Sequence, residues 1–189
     1  MRMIEIPGKG YEISETVVTQ LQWYRVMGTQ PWSGTSYVRE GDNYPAVYVN
    51  WYDARDFCRA LSKKDGKTYR LPKEDEWEYA CSGGVNTEYH FGNNPEELDK
   101  YAWFYNNTIN EQYPHGVAQK LPNQFGLYDM HGNVWEWCDG LYNNEEPEYL
   151  VLRGGSWNSF SDYCSAWCRD YDAPEYRCIY VGFRLARTL

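Results

Sequence analysis

Phe125-Gly126-Leu127-Tyr128-Asp129-Met130-His131-Gly132-Asn133-Val134-Trp135-Glu136-Trp137 is the stretch on which the fold turns. Gly126 and Gly132 permit tight turns and close backbone approach. The segment then runs into Asn133 to Cys138, a strand expectation in which Trp135 and Trp137 supply core area. Downstream, two more strands are expected, Tyr149 to Arg153 and Val181 to Ala186, the latter alternating Phe183 and Leu185 with Arg184 and Ala186. Arg153 and Arg184 offer fixed forks of donors to loop carbonyls and carboxylates.

Upstream of that stretch the pattern is helical. Thr19 through Gln22 reads as a capping box, with Trp23, Val26 and Met27 on one face and Gly28 as the stop. Asn50 caps a second helix whose Ala54, Phe57, Cys58 and Leu61 recur at helical spacing, and Gly66 closes it. A third begins at Pro72, carries Glu74 and Asp75 in its first turn, turns Trp77, Ala80 and Cys81 inward, and ends at Gly83-Gly84. From Asn86 to Tyr128 the helical pattern disappears and loops with a few short strands are expected. Asn143 to Glu148 reads as an acidic, exposed bridge.

Composition narrows the function. The chain has 189 residues, suited to a single domain spanning 1–189. Leu, Ile, Val and Phe are scarce and the net charge is −9, a pairing that usually signals disorder. The 9 Trp and 19 Tyr reverse that signal, because each large ring buries on the order of 150–250 Å². Acidity and the lack of any basic run exclude nucleic acid and anionic membrane as partners. No apolar stretch reaches transmembrane length, and the start has no signal-peptide hydrophobic region. Six cysteines form no CxxC; Cys58, Cys81 and Cys138 read as buried thiols. His90, His115 and His131 read as surface or loop histidines rather than catalytic bases.

Four segments together resemble the formylglycine-generating-enzyme family over most of the chain. They are Asn50-Trp51-Tyr52-Asp53-Ala54 with Phe57-Cys58; Arg70-Leu71-Pro72 through Glu76-Trp77-Glu78-Tyr79-Ala80; the stretch quoted at the outset; and Leu152-Arg153-Gly154-Gly155-Ser156-Trp157 with Gly182-Phe183-Arg184-Leu185-Ala186. The resemblance implies an α+β, C-type lectin fold with short strands, peripheral helices and much irregular chain. Family enzymes carry two cysteines five positions apart, just after the Arg-Gly-Gly-Ser motif, as thiolate ligands for copper. Here Cys164 matches the later one, but Ser159 stands at the earlier, and Cys168 lies on the wrong side. The expectation is therefore a protein with no catalytic residues and no required cofactor; the alternative is a copper-dependent formylglycine-generating oxidase or an inactive relative of it.

Residues 158–180 carry the binding expectation. They mix Tyr, Ser, Asp, Asn and Cys without helical or strand period, a composition like that of antibody loops. Their position is similar to that of the variable region in proteins diversified by diversity-generating retroelements. There, adenine randomisation turns Asn codons into a set that includes Tyr, Ser, Asp, Cys, Phe and Ile but excludes Trp, Glu, Lys, Gln and Met. The segment holds no Lys, Gln or Met, and its exceptions, Trp167 and Glu175, are expected to be fixed or only partly variable. Ser159, Phe160, Asp162, Tyr163, Ser165, Asp170, Tyr171, Asp172, Tyr176, Cys178 and Tyr180 should largely form one exposed, ligand-binding face, with Trp157 and Trp167 as buried supports. The partner implied is a protein or peptide, met by a monomer displayed at a cell surface. The family also binds calcium near the quoted stretch. The matching positions are Asp129 and Glu136 by side chain and Gly132 and Val134 by carbonyl, all hard oxygen donors; the alternative is that Asp129 and Glu136 bond backbone amides.

Overall fold

The computed structural model describes residues 1–143, 145 and 148–189. Two four-stranded sheets meet over an aromatic core. The first takes strands β1 (Met3–Glu5), β2 (Tyr11–Ser14), β8 (Ala186–Thr188) and β3 (Tyr69–Arg70) in that order, so the chain's two ends pair with each other. The second runs β6 (Arg169–Asp172), β5 (Leu150–Arg153), β4 (Trp135–Leu141) and β7 (Val181–Gly182); β4 and β7 are parallel and the other pairs antiparallel.

The three expected helices form, with the expected ends. Helix α1 (Gln20–Met27) and helix α2 (Trp51–Asp65) begin on reciprocal capping boxes at Thr19 and Asn50 and stop on left-handed glycines, Gly28 and Gly66. Helix α3 (Glu74–Ser82) starts two residues after Pro72 and stops at Gly83. Their inward faces supply Trp23, Phe57 and Trp77, and Trp23 stacks on Phe57 with centroids 5.5 Å apart. Trp32, Trp137 and Phe183 complete an interior in which rings replace aliphatic side chains.

Several expectations need correction. Strand β1, β2 and β3 lie in segments with too few residues for a readable period. Val181 to Ala186 is not one strand: β7 ends at Gly182 and β8 begins at Ala186, so the chain changes sheets between them. The loop region contains a 3₁₀ helix at Pro95–Lys100 and one helical turn, α4 (Tyr105–Thr108). In the bridge expected from Asn143 to Glu148, positions 144, 146 and 147 lie outside the described residues. All three histidines lie in loops, as expected, but they are buried rather than at the surface. His90 and His131 stack at 5.0 Å, and His115 lies on Trp103 at 3.9 Å.

Candidate ligand-binding site

The backbone of residues 157–180 is tied to the rest of the chain along its length. The Trp157 amide donates to the Asn133 carbonyl at 2.9 Å, and the Tyr105 amide donates to the Ser159 carbonyl at 2.9 Å. The Tyr89 hydroxyl donates to the Ser161 carbonyl at 3.1 Å, and a His131 ring nitrogen lies 2.8 Å from the Cys164 carbonyl. Buried Arg153 donates to the Ala166 carbonyl at 2.6 Å. Residues 169–172 then pair with β5 along their whole length. Beyond them the Trp51 amide reaches Pro174, the Tyr48 amide reaches Cys178, and the Trp135 amide reaches Tyr180, at 3.1, 2.9 and 2.8 Å. The expectation of a segment without regular structure is therefore corrected. It holds a 3₁₀ turn, Ser161–Cys164, and the edge strand β6. Its composition hid this, because β6 reads Arg-Asp-Tyr-Asp and draws its place from pairing with β5 rather than from burial.

Gly154 and Gly155 make the close packing at the segment's entry possible. Both have positive φ, 99° and 73°, which other residues rarely adopt. A Cβ on Gly155 would also stand 2.7 Å from the Cys164 sulfur and 3.0 Å from the Tyr163 carbonyl oxygen.

The side chains behave differently from the backbone they hang on. Asp162 accepts from Ser161, Asp170 from the Tyr171 amide, and Asp172 from the Ala173 amide. The Tyr176 and Tyr180 hydroxyls bond each other at 2.9 Å. Each of these bonds stays within the segment. Phe160 and Tyr163 are 56% and 55% exposed, and Asp162 and Tyr171 are also exposed. Asp170, Asp172, Tyr176, Cys178 and Tyr180 are half-buried.

These residues do not form one face. Successive residues of a strand point to opposite sides of the sheet. Asp170 lines a cleft with Trp135, Asn158, Ser159, Phe160, Tyr163 and Tyr180. Tyr171 lies on the other side, against Tyr142 and Tyr149 with centroids 4.3 and 5.0 Å away. Ser159 and Ser165 are buried rather than displayed: Ser159 Oγ accepts from the Ser156 amide and Ser165 Oγ from the Cys168 amide. The two tryptophans also part company. Trp157 is buried as expected, but Trp167 is 50% exposed, beside Tyr79, Lys9 and Arg169. Trp135, read from sequence as core, is buried and also lines the cleft.

Both positions of the broken cysteine pair are buried in the scaffold. Ser159 Oγ lies 3.0 Å from both the amide nitrogen and the hydroxyl of Ser156. Cys164 is fully buried, and burial pushes its thiol far above the usual range, so it stays protonated. A serine hydroxyl at 159 does not supply the second of the two thiolates that such a copper site calls for. All six cysteines are free.

The calcium expectation meets the same difficulty. Both oxygens of Glu136 are taken. Oε1 accepts from Arg184 Nη2 at 2.8 Å, and Oε2 from Arg184 Nε at 2.6 Å and Trp77 Nε1 at 2.8 Å. Neither Glu136 nor Arg184 is exposed to solvent. The Gly132 carbonyl accepts from the Val134 amide at 2.9 Å. Asp129 Oδ2 accepts from the Ala118 amide at 2.9 Å, while Oδ1 is buried with no partner. Burial pushes the Asp129 carboxyl up to about 6. Calcium takes about six to eight oxygens, and of the two expected carboxylates only Asp129 Oδ1 is left without a partner. Among the described residues no three of His, Cys, Asp and Glu are gathered to hold a metal. The Arg184 guanidinium occupies the charge position a cation would fill. Glu136 is bonded to a side-chain cation and an indole rather than to backbone amides, whereas Asp129 does accept from a backbone amide, that of Ala118.

The chain matches the sulfatase-modifying factor enzyme 1-like domain over residues 2–189. It is 34% identical to the bovine (Bos taurus) inactive C-alpha-formylglycine-generating enzyme 2, over 96% of this chain and 63% of that one. It is 31% identical to the formylglycine-generating enzyme of Streptomyces coelicolor, over 87% of this chain and 60% of that one. Its length is therefore under two thirds of either relative. Among solved structures, Treponema denticola variable protein 1 superposes with a TM-score of 0.83 at 30% identity, covering 100% of this chain and 92% of that one. The fold is accordingly the C-type lectin variant expected. Among the described residues no helix is long and apolar enough to cross a membrane.

Proposed function

Because the chain belongs to the sulfatase-modifying factor enzyme 1-like family yet carries Ser159 in place of the first cysteine, we propose that it is a ligand-binding display protein and not an oxidase. One observation carries the reading. The backbone of residues 157–180 is fixed by bonds from the scaffold, whereas among the described residues Phe160, Asp162, Tyr163, Asp170, Asp172, Tyr176 and Tyr180 make no side-chain hydrogen bond outside the segment. Side chains held this way can be exchanged without refolding what holds them. A fixed backbone also lowers the ordering cost of binding.

The likeness to a variable protein of Treponema denticola supports diversification by a retroelement as the source of this surface. Display at a cell surface, with a protein or peptide as ligand, is part of the same proposal. Deep sequencing of the coding region in a natural population of the source organism tests it. Variation concentrated at Phe160, Asp162, Tyr163, Asp170, Tyr171, Asp172, Tyr176 and Tyr180, with adenine-only differences from a nearby template repeat, is the expected result. A segment as uniform as α2 across the population would overturn it.

A further inference from the structure

Resting on that display reading, we propose that the cleft formed by Trp135, Phe160, Tyr163, Asp170 and Tyr180 receives a basic side chain, lysine or arginine, presented by a partner protein. Size argues first. The cleft measures about 230 Å³, below the roughly 300–1,000 Å³ of pockets that enclose a whole small molecule. It suits one side chain of a larger partner. Its walls are rings with free surface: Phe160, propped by Tyr105 at 4.7 Å, and Tyr163 are both more than half exposed.

Charge argues second. Asp170 lines the cleft and Asp172 shares its face of β6. Asp162 stands in the adjoining 3₁₀ turn. Among the described residues none of the three is in a salt bridge, and the nearby cations are engaged elsewhere. Arg169 pairs with Glu74, Arg177 with Asp53, and Arg153 with Glu74 and Glu78. Asp170 spends one oxygen on its neighbour's amide, and the other has no partner among the described residues. Burial and the charge of Asp170 push the Asp172 carboxyl upward, the response of a carboxylate short of a cation.

An apolar occupant would desolvate Asp170 without pairing it, and an acidic one would be repelled. A cation gains both from the carboxylate and from the faces of the rings. The cleft beside Trp167 lacks this polarity, since Lys9 and Arg169 line it along with its acids. The overall charge of −9 also steers a basic partner inward.

The test is a nuclear magnetic resonance titration of the full chain with the N-acetyl methylamides of arginine, lysine and norleucine. Arginine and lysine should give saturable shifts at the Trp135 indole N–H and the Tyr163, Asp170 and Tyr180 amides; norleucine should not. A D170N/D172N variant should bind at least about fivefold more weakly, and high salt should weaken binding in the wild type. Equal shifts from norleucine, no shift at the cleft, or undiminished binding to D170N/D172N would overturn the proposal. The variant's melting curve is recorded alongside, so that weaker binding is read on a folded protein. Failure of the display reading would look different: a population in which residues 158–180 do not vary.

Discussion

Replacing Glu136 by alanine strands two buried groups at once. The Arg184 guanidinium, with no solvent exposure, loses both carboxylate contacts, and the Trp77 indole N–H loses its acceptor. Breaking a buried ion pair from one side costs about 3–5 kcal/mol, and an orphaned buried donor adds about 1–3 kcal/mol. The Arg184 bonds to the Ser14 and Tyr128 carbonyls, at 3.1 and 2.9 Å, survive and hold the total toward the lower end. A loss of about 4 kcal/mol corresponds to a fall in melting temperature of about 8–16 °C for a domain of this size. Calorimetric unfolding of wild type and E136A, each with and without a chelator, is the assay. The chelator should move neither curve, since Glu136 spends its oxygens on Arg184 and Trp77. A fall of under about 3 °C in E136A, or a chelator effect that E136A abolishes, would refute the reasoning.

Trp157→Ala should cost about 3–5 kcal/mol, whereas Trp167→Ser, at an exposed ring, should stay within about 0.5 kcal/mol by the same melts. Acid should destabilise the fold: burial depresses His90 to about 4 and His131 to about 3. The unfolded chain therefore takes up protons first, near its ordinary value of about 6.5, and each histidine removes up to about 1.4 kcal/mol per pH unit as pH falls from there toward its folded value. Asp129, raised to about 6, acts with the opposite sign between that value and its ordinary one and offsets part of the loss. Melting temperature should consequently drop between pH 6.5 and 4, and His90→Gln should flatten the slope. Incubated with copper and a sulfatase-type cysteine peptide, the chain should form no formylglycine; turnover that vanishes in Cys164→Ala would contradict this.

The helices were legible because their signals are local. Thr19 and Asn50 as caps, Gly28 and Gly66 as stops, and Phe57 and Trp77 at helical spacing each act within a turn or two of chain. The site was only partly legible. Composition marked residues 158–180, but which side of a strand a residue occupies depends on pairing across more than a dozen residues. That is why Tyr171 parted from Asp170, and why β6 went unseen until paired with β5. Ser159 and Ser165 differ from expectation for a related reason: small polar residues read as surface unless a specific donor, here the Ser156 or Cys168 amide, awaits them. The loop placement of the histidines was legible, but their burial was not, because nothing in their neighbourhood shows the rings that enclose them from distant segments.

The central claim is that the side chains of the display segment are separable from the fold that holds their backbone. A combined variant, Phe160→Ser, Asp162→Asn, Tyr163→Ser, Asp170→Asn and Tyr171→Ser, tests it by calorimetric unfolding. If the scaffold alone fixes the segment, the variant unfolds in one cooperative transition, losing no more than about 0.5 kcal/mol at each exposed position. Loss of the cooperative transition would show that these side chains are part of the core, and the display account would be wrong.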